Sequence, residues 1–452
     1  MPFSVDSKIK DLLADEAAFA VLKKHIPALE PKHMNMAKNM TLRAVSKFPQ
    51  AKEMANKLDA IDADLKKLQS TPAQTTAPQP APAQSAASVP PVEPKVLPTS
   101  AGREELYDRT DPDKWAHPTV ASGWGTAGLG DMAEDTLEPG ISKEESNRRR
   151  ENAERMVKEM LNEMPVPEEI VKAGTTTWED ITLTDLEPDA PKLRTMLRTP
   201  NGEANTPRPG ILFIVGGGLV ISDPEIFASA IFELSATHGA VVVIPKYRVA
   251  PVWQYPAALN DVHAAFNWMV DNADRLGIDL DRIVILGQSS GGQLTASLTH
   301  RLKRVGYPKG VRPRAQVLDV PVIDDREFEP SRRINSGGWP PAYERKTWKA
   351  YLGDNYNLPE ISPEAVPGHA SGNDFAHLPP AFIHCAEHDQ DRDDVIRYAQ
   401  GLLDAGVFCD LHVWGGFSHL SDIVMDAEPV IRRLNLIKAQ VADALANDLR
   451  RA

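Results

Sequence analysis

The chain has few cysteines and no long apolar run. It contains two cysteines among 452 residues, Cys385 and Cys409, each in an apolar segment typical of a strand. We therefore expect buried thiols rather than a disulfide framework. The first residues, MPFSVDSKIK, lack the apolar stretch of a secretory signal. No apolar segment reaches the length of a membrane span. These absences predict a cytoplasmic protein without a transmembrane helix.

Positive charge is also scarce. Lys and Arg number 50 against 63 Asp and Glu, which gives a net charge of −13. Nucleic acids and anionic membranes would repel such a chain, so we expect neither as a partner. The charge favours a neutral small-molecule substrate over a polyanion.

Aromatic residues are missing from residues 70–100, where Pro, Ala, Gln and Ser dominate. Such a segment cannot bury enough apolar surface to order itself, which predicts an extended linker. Residues 1–69 place apolar side chains at helical spacing, which predicts a small all-α domain. This domain has no cluster of catalytic residue types, so binding, docking or homo-oligomerisation is its expected use. Residues 101–452 make up the third region.

The third region alternates strand-like and helix-like runs. Eight runs have strand character: TWEDITLTD, KLRTMLRT, GILFIVGG, AVVVIPKY, RIVILGQS, RAQVLDVP, AFIHCAEH and FCDLHVWG. Strands that alternate with helices predict an α/β fold, with a mostly parallel eight-stranded sheet and helices on both faces. The first two runs mix polar and apolar residues, which predicts an exposed antiparallel hairpin at the sheet edge.

A nucleophile motif lies between a buried strand and a helix. The run RIVILGQSSGGQLTASL contains the segment Gly287–Gly291, a G-x-S-x-G pattern centred on Ser289. A sharp strand-to-helix turn requires glycine on both sides of the serine, because a side chain there would clash. The motif predicts that Ser289 is a nucleophile exposed beside a helix N-terminus.

Serine needs a base and an orienting acid, and both follow in the expected chain order. The strand AFIHCAEH ends at Asp389, and the last strand is followed by a loop that holds His419. Both loops lie at carboxyl ends of strands, where sites form in parallel sheets. We predict that His419 accepts the Ser289 proton while Asp389 fixes its tautomer. Other histidines compete for the role of base: His384, His388 and His412.

The acidic run after Asp389 resembles the start of a calcium loop. Counted from Asp389, its sixth position is Asp394 rather than glycine, and its twelfth is Gln400 rather than glutamate. We therefore predict no metal site. Asp391 and Asp393 are expected, with Asp394, to begin the next helix, where carboxylates suit the helix dipole.

A glycine run supplies backbone donors. Gly216, Gly217 and Gly218 follow a strand directly, so their N–H groups can approach a tetrahedral oxyanion. The predicted oxyanion hole consists of the N–H groups of Gly217, Gly218 and Ser290. A phosphate loop is the alternative, but the lysine and the G-x-G-x-x-G spacing are missing.

These segments together resemble the hormone-sensitive-lipase-like esterases, the bacterial family IV lipolytic enzymes. The resemblance covers about residues 141–445 and rests on five motifs: VGGG, YRVAPVWQYPAALND, GQSSGG, LPPAFIHCAEHDQDRDD and GGFSH. It implies an α/β-hydrolase fold and a carboxylesterase without a cofactor. It also implies a helical cap over the acyl pocket, formed here by about residues 141–175 and 326–370. Four cap aromatics are expected to line that pocket or to pack the cap: Trp339, Tyr343, Trp348 and Tyr351.

Two positions depart from the family pattern. Val215 stands where the family has the histidine of HGGG, and Gln288 stands where it has the aspartate of GDSAG. Neither change removes an atom of the triad or a backbone donor. Because some plant hormone receptors of the superfamily bind ligands on a degraded hydrolase site, a non-catalytic binding protein is the alternative. The retained His419 favours the enzyme.

The expected substrates are short to medium acyl esters. The helical domain is similar to modules found in some bacterial carbohydrate-active enzymes. That similarity makes acylated sugars and phenolic esters candidate substrates.

Overall fold

The computed structural model describes residues 3–26, 41–45, 57–68, 137, 142–161, 166–183, 187, 190–327, 329–335, 340–421 and 427–450. The chain divides into two compact units, Met1–Tyr107 and Asp108–Ala452. The expected linker, 70–100, lies outside the described residues, and so does Trp339. The boundaries of the domains and of the cap therefore stay predictions.

The described part of the first unit is helical. Its helices are α1 Ile9–Ala14, α2 Glu16–His25, α3 Leu42–Val45 and α4 Leu58–Leu65. Helix α2 begins at Asp15, whose side chain accepts a hydrogen bond from the Ala18 N–H at 2.9 Å. Val5 and apolar side chains from all four helices form one core: Val5, Ile9, Leu12, Ala18, Leu22, Leu42, Ile61 and Leu65. These residues agree with the predicted all-α character of this region.

The second unit contains an eight-stranded sheet. Its strands are β1 Gly174–Ile181, β2 Leu193–Pro200, β3 Arg208–Ile214, β4 Val241–Pro245, β5 Ile278–Gln288, β6 Ala315–Asp319, β7 Ala381–Ala386 and β8 Cys409–Trp414. The spatial order is β1-β2-β4-β3-β5-β6-β7-β8. Strand β2 pairs antiparallel with both β1 and β4, and the remaining pairs are parallel. The mostly parallel sheet of the sequence prediction is confirmed.

Helices cover both faces of the sheet. They are α5 Lys143–Leu161, α6 Glu168–Lys172, α7 Ala228–His238, α8 Ala257–Asp271, α9 Ala273–Leu276, α10 Ser290–Val305, α11 Pro341–Leu352, α12 Arg392–Asp404 and α13 Glu428–Ala446. Short 3₁₀ helices span Pro224–Phe227, Pro308–Gly310, Pro330–Arg333, Gly353–Asn355, Pro367–His369 and Gly372–Asp374. Helices α8, α10 and α12 pack on one face, and α7 and α13 pack together on the other. No described helix has the length and apolarity needed to cross a bilayer.

The predicted edge hairpin is half right. Strand β1 lies at the edge and alternates between more and less exposed side chains. Strand β2 lies second in the sheet, and most of its residues are buried because α7 packs over it. The exposed character predicted for the second strand was therefore wrong.

Both cysteines are free thiols, with Cys385 buried and Cys409 partly exposed.

Candidate active site

Ser289 lies at the tight turn between β5 and α10. Its backbone has φ 55° and ψ −123°, a conformation that a residue with a side chain rarely adopts. The Ser289 N–H donates to the Asp319 carbonyl at 2.8 Å, which ties the turn to the end of β6. The strained turn directs the hydroxyl away from the sheet, as a nucleophile requires.

The glycines on either side of Ser289 are required by sterics. A Cβ on Gly287 would lie 2.1 Å from the Gly291 carbonyl oxygen. A Cβ on Gly291 would lie 2.0 Å from the Ile214 carbonyl oxygen. Both neighbours are backbone atoms that cannot rotate away, so the two glycines let β5, α10 and β3 meet at this point.

A continuous hydrogen-bond chain links the three predicted triad residues. His419 Nε2 lies 2.8 Å from the Ser289 hydroxyl oxygen, and His419 Nδ1 lies 2.8 Å from Asp389 Oδ2. A carboxylate can only accept, so Nδ1 carries the proton and Nε2 is free to accept from the serine. The other carboxylate oxygen of Asp389 accepts the Asp391 N–H at 3.1 Å. The structure thus brings together side chains from three separate loops.

Burial and charge act on His419 in opposite directions. Burial of the imidazole disfavours its charged form, but the Asp389 carboxylate stabilises that form through its charge and hydrogen bond. The carboxylates of Glu344 and Asp319 act in the same direction as Asp389, and the pKa of His419 lies above its usual value of 6.5. His419 is therefore a stronger base than a histidine in water.

The loops that carry the acid and the base are bonded to each other. The His388 N–H donates to the Phe417 carbonyl at 2.8 Å, and the Gly416 N–H donates to the Glu387 carboxylate at 2.8 Å. These bonds join the end of β7 to the loop after β8. They fix the separation between Asp389 and His419.

The competing histidines have other partners. His384 is buried in β7, where its ring bonds to Gln440 and accepts from Trp414, and burial lowers its pKa to about 3. His412 lies 3.1 Å from the Asp410 carboxylate. Of the described histidines, His419 is the one that hydrogen-bonds Ser289.

The glycine loop lies directly against the nucleophile. A Cβ on Gly216 would lie 2.9 Å from the Gln288 carbonyl and 3.2 Å from Ser289 Cβ. Gly217 and Gly218 have φ values of 137° and 61°, which turn the chain sharply after β3. Within the described chain, no residue accepts a hydrogen bond from the N–H of either glycine or of Ser290. These donors are available to a substrate oxygen.

The two departures from the family motifs have identifiable contacts. The Val215 carbonyl accepts a hydrogen bond from the buried Tyr247 hydroxyl at 2.8 Å, which anchors the glycine loop. Gln288 donates to Asp319 at 3.3 Å, and Asp319 also forms a buried ion pair with Arg433. The Val215 side chain is itself fully buried, and the Gln288 side chain bonds to Asp319, so both substituted side chains are packed beside the site.

A group of charged side chains beside the acid was missed by sequence reasoning. Buried Arg332 pairs with Glu344, lies 3.1 Å from Asp391, and donates to Asp394 at 2.6 Å. Arg332 and Glu344, with Trp348, also line a small pocket. The run DQDRDD was the available signal, since so many carboxylates in one turn require a cation nearby.

Among the described residues, two groups of side chains have the spacing of metal ligands, with ligand atoms within 4.8 Å of one another: Asp324, Asp325 and His369; and Asp389, Asp391 and His419. Arg326 and Arg397 already neutralise Asp324 in the first group. In the second group, Asp389 accepts the histidine N–H. The absence of a metal requirement stays a prediction.

Comparisons with known proteins give the family and the fold of the chain. A profile of the alpha/beta hydrolase fold family matches residues 211–421. Esterase LipI of Mycobacterium tuberculosis is 32% identical over 219 residues, which cover 45% of this chain and 62% of LipI. An arylesterase of Saccharolobus solfataricus is 30% identical over 260 residues, which cover 56% of this chain and 78% of the arylesterase.

The structural comparison extends further along the chain. The structure of a bacterial heroin esterase matches with a TM-score of 0.64 at 27% identity, over 74% of this chain and 98% of that chain. The chain belongs to the α/β-hydrolase family, and its resemblance to the hormone-sensitive-lipase-like members is confirmed. It spans less than two thirds of the length of LipI.

Proposed function

We propose that the protein is a serine carboxylesterase that hydrolyses short to medium acyl esters. The observation that carries this proposal is the chain of two 2.8 Å contacts from Ser289 through His419 to Asp389. The arrangement contains a nucleophile, a base with an available nitrogen lone pair, and a buried acid that orients the base. The named esterases among its relatives support the same reaction class.

In the acylation half of the proposed reaction, the Ser289 oxygen attacks the ester carbonyl carbon while His419 Nε2 takes the hydroxyl proton. Negative charge then develops on the carbonyl oxygen. The free N–H groups of Gly217, Gly218 and Ser290 are proposed to stabilise it, since preorganised donors need no rearrangement. When the tetrahedral intermediate collapses, the C–O bond to the alcohol breaks. His419 returns the proton to the departing oxygen.

In the deacylation half, a water molecule takes the place of the alcohol. His419 accepts a proton from the water as its oxygen attacks the acyl carbon. The bond to Ser289 then breaks, and His419 returns the proton to the serine oxygen. Asp389 keeps its charge throughout and stabilises the imidazolium that forms in each half.

The proposed cap is built from residues 141–175 and 326–370. In its second part, Trp348 and Tyr351 are almost fully buried and their rings pack at 6.1 Å, while Tyr343 is partly exposed. This packing supports a compact cap, which favours small acyl groups. Acylated sugars and phenolic esters remain the specific candidates, as proposed from the similarity of the helical domain.

The experiment is hydrolysis of p-nitrophenyl acetate, butyrate and octanoate by the wild type and by Ser289→Ala. Loss of a triad serine costs about a millionfold in kcat, so the variant should be inactive. Ser235→Ala on α7 is the matched control, because it removes a buried serine hydroxyl that bonds to Ala240 away from the triad. A folded wild type that binds these esters without hydrolysing them would establish the non-catalytic alternative, and Val215→His would be the next variant.

Two further assignments are proposals. We propose that the helical first unit mediates homo-oligomerisation, since its described residues contain no candidate catalytic cluster. Light scattering on the full chain and on a chain that starts at residue 101 tests this, and the same number of subunits in both would refute it.

We also propose a cytoplasmic location, supported by the two free thiols.

A further inference from the structure

Asp391 is a buried carboxyl beside the triad. It occupies the N-cap position of α12, yet its side chain makes no capping hydrogen bond. It is 1% exposed, and its Oδ1 lies 3.1 Å from the Arg332 guanidinium, whereas its Oδ2 has no hydrogen-bond partner among the described residues. Burying a carboxyl oxygen without a partner is unfavourable, so the presence of Asp391 here requires an explanation beyond its contact with Arg332.

The position of Asp391 beside the triad supplies an explanation. An oxygen of its carboxyl lies within 4.8 Å of both a ring nitrogen of His419 and an oxygen of Asp389. Its backbone N–H also holds the second oxygen of Asp389. His419 therefore faces two carboxyls from one short loop rather than one.

The surrounding charges determine which of the two is ionised. Burial raises the pKa of Asp391 well above 3.8, the carboxylates of Glu344, Asp389 and Asp394 act in the same direction, and Arg332 opposes them. These effects favour the protonated form of Asp391. Asp389 accepts hydrogen bonds from His419 Nδ1 and from the Asp391 N–H, so it is the better placed of the two carboxyls to hold a negative charge. Since the charge of Asp389 is one cause of the raised pKa, removing that charge favours ionisation of Asp391.

We propose that Asp389 and Asp391 form a carboxyl pair that shares one negative charge opposite His419, with Asp391 as a second positioning residue. This inference rests on the proposed function. In the resting protein Asp389 holds the charge and the hydrogen bond to Nδ1. When Asp389 cannot be charged, Asp391 releases its proton to solvent, and its carboxylate then stabilises the imidazolium.

A purely structural role makes a different prediction. If Asp391 only partners Arg332, replacing Asp391 changes the stability of the protein. The loss of kcat/KM caused by replacing Asp389 is then the same with or without Asp391. If the two carboxyls share a charge, the loss of kcat/KM on replacing one depends on whether the other is present. A double-mutant cycle detects this dependence.

The experiment measures kcat/KM for p-nitrophenyl butyrate in the wild type, D389N, D391N and D389N/D391N. Replacing the acid of a triad that has one carboxyl costs about 10⁴-fold. We expect D389N to lose about 10²-fold and the double variant about 10⁴-fold, well beyond the product of the single losses. Asp393 is the matched control, because it lies two residues after Asp391, at the start of α12, with Ser331 and Arg392 as partners. The losses in D389N/D393N should simply multiply.

Multiplying losses in D389N/D391N, or equal synergy in D389N/D393N, would overturn the inference. Thermal unfolding of each variant establishes that it is folded. The pKa of His419, followed by NMR titration of its ring nitrogens, gives a readout without turnover. It should fall less in D389N than in D389N/D391N, and equal values would also refute the inference. A wild type without Ser289-dependent hydrolysis would instead refute the proposed function, and the titration would still decide the role of Asp391.

Discussion

The two halves of the candidate site are built by different physical means. The serine half depends on backbone atoms that meet where a side chain cannot fit, at Gly287 and Gly291. The acid half depends on buried charge, with Arg332 surrounded by the carboxylates of Glu344 and Asp394. A steric requirement acts within a few residues of the chain, whereas a charge requirement is met by residues far apart in sequence. The predictions below test that contrast.

The largest effect is expected from His419, which connects the halves. His419→Ala should lower kcat by about a millionfold, because loss of the base costs as much as loss of the serine. His412→Ala, a partly exposed histidine in β8, is the control and should keep nearly full activity. A fully active His419→Ala variant would show that His419 is not the base, which would contradict the proposed triad.

The acid half should fail through uncompensated charge. Arg332→Met leaves Glu344 and Asp394 without their buried cation, which should cost about 3–5 kcal/mol in the free energy of unfolding at pH 8. Burial raises the pKa of Asp394 to about 6 and that of Asp391 well above 3.8. Both carboxyls bind more protons in the folded state, so the loss should shrink at pH 5.

Urea unfolding of Arg332→Met at both pH values checks this prediction. Arg345→Met is the control, since Arg345 is exposed and pairs with exposed Glu327 at 3.2 Å. That change should cost less than about 1 kcal/mol. A similar cost for both arginines would show that buried charge does not hold the acid half together.

The serine half should fail through overlap of atoms. Gly291→Ala places a methyl group 2.0 Å from a backbone oxygen, and we expect a loss at the upper end of the about 1–3 kcal/mol typical of overpacking. Gly239→Ala has a positive φ of 58° but open space around it, so it should cost about 1 kcal/mol. Thermal unfolding ranks the two variants, and equal losses would leave no special role for the turn.

The smallest effect concerns the pH profile. His419 must be neutral to accept the serine proton, and its pKa lies above 6.5 because Asp389 outweighs the effect of burial. The value of kcat/KM should therefore fall about tenfold per pH unit below that pKa, with the midpoint above 6.5. Rates measured between pH 5 and 9 check this, and a midpoint below 6 would contradict the assigned balance of burial and charge.

The features that could be predicted from the sequence are the local ones, and those that were missed depend on residues far apart in the chain. The sheet and the proximity of Ser289, Asp389 and His419 could be predicted, because each lies in a local motif at the end of a strand. The group around Arg332 could not, since it joins a 3₁₀ helix, α11 and the start of α12. The burial of β2 was missed for the same reason: a helix distant in sequence covers it.

The most direct test of the central claim is covalent labelling of the wild type with a p-nitrophenyl alkylphosphonate, followed by mass spectrometry. Attack by the Ser289 oxygen would form a P–O bond and release p-nitrophenolate. The account predicts one phosphonyl group per chain, on Ser289 in the tryptic peptide 283–301, and none on Ser289→Ala. A folded chain that stays unlabelled, or that carries the label on another residue, would contradict the assignment of Ser289 as an activated nucleophile.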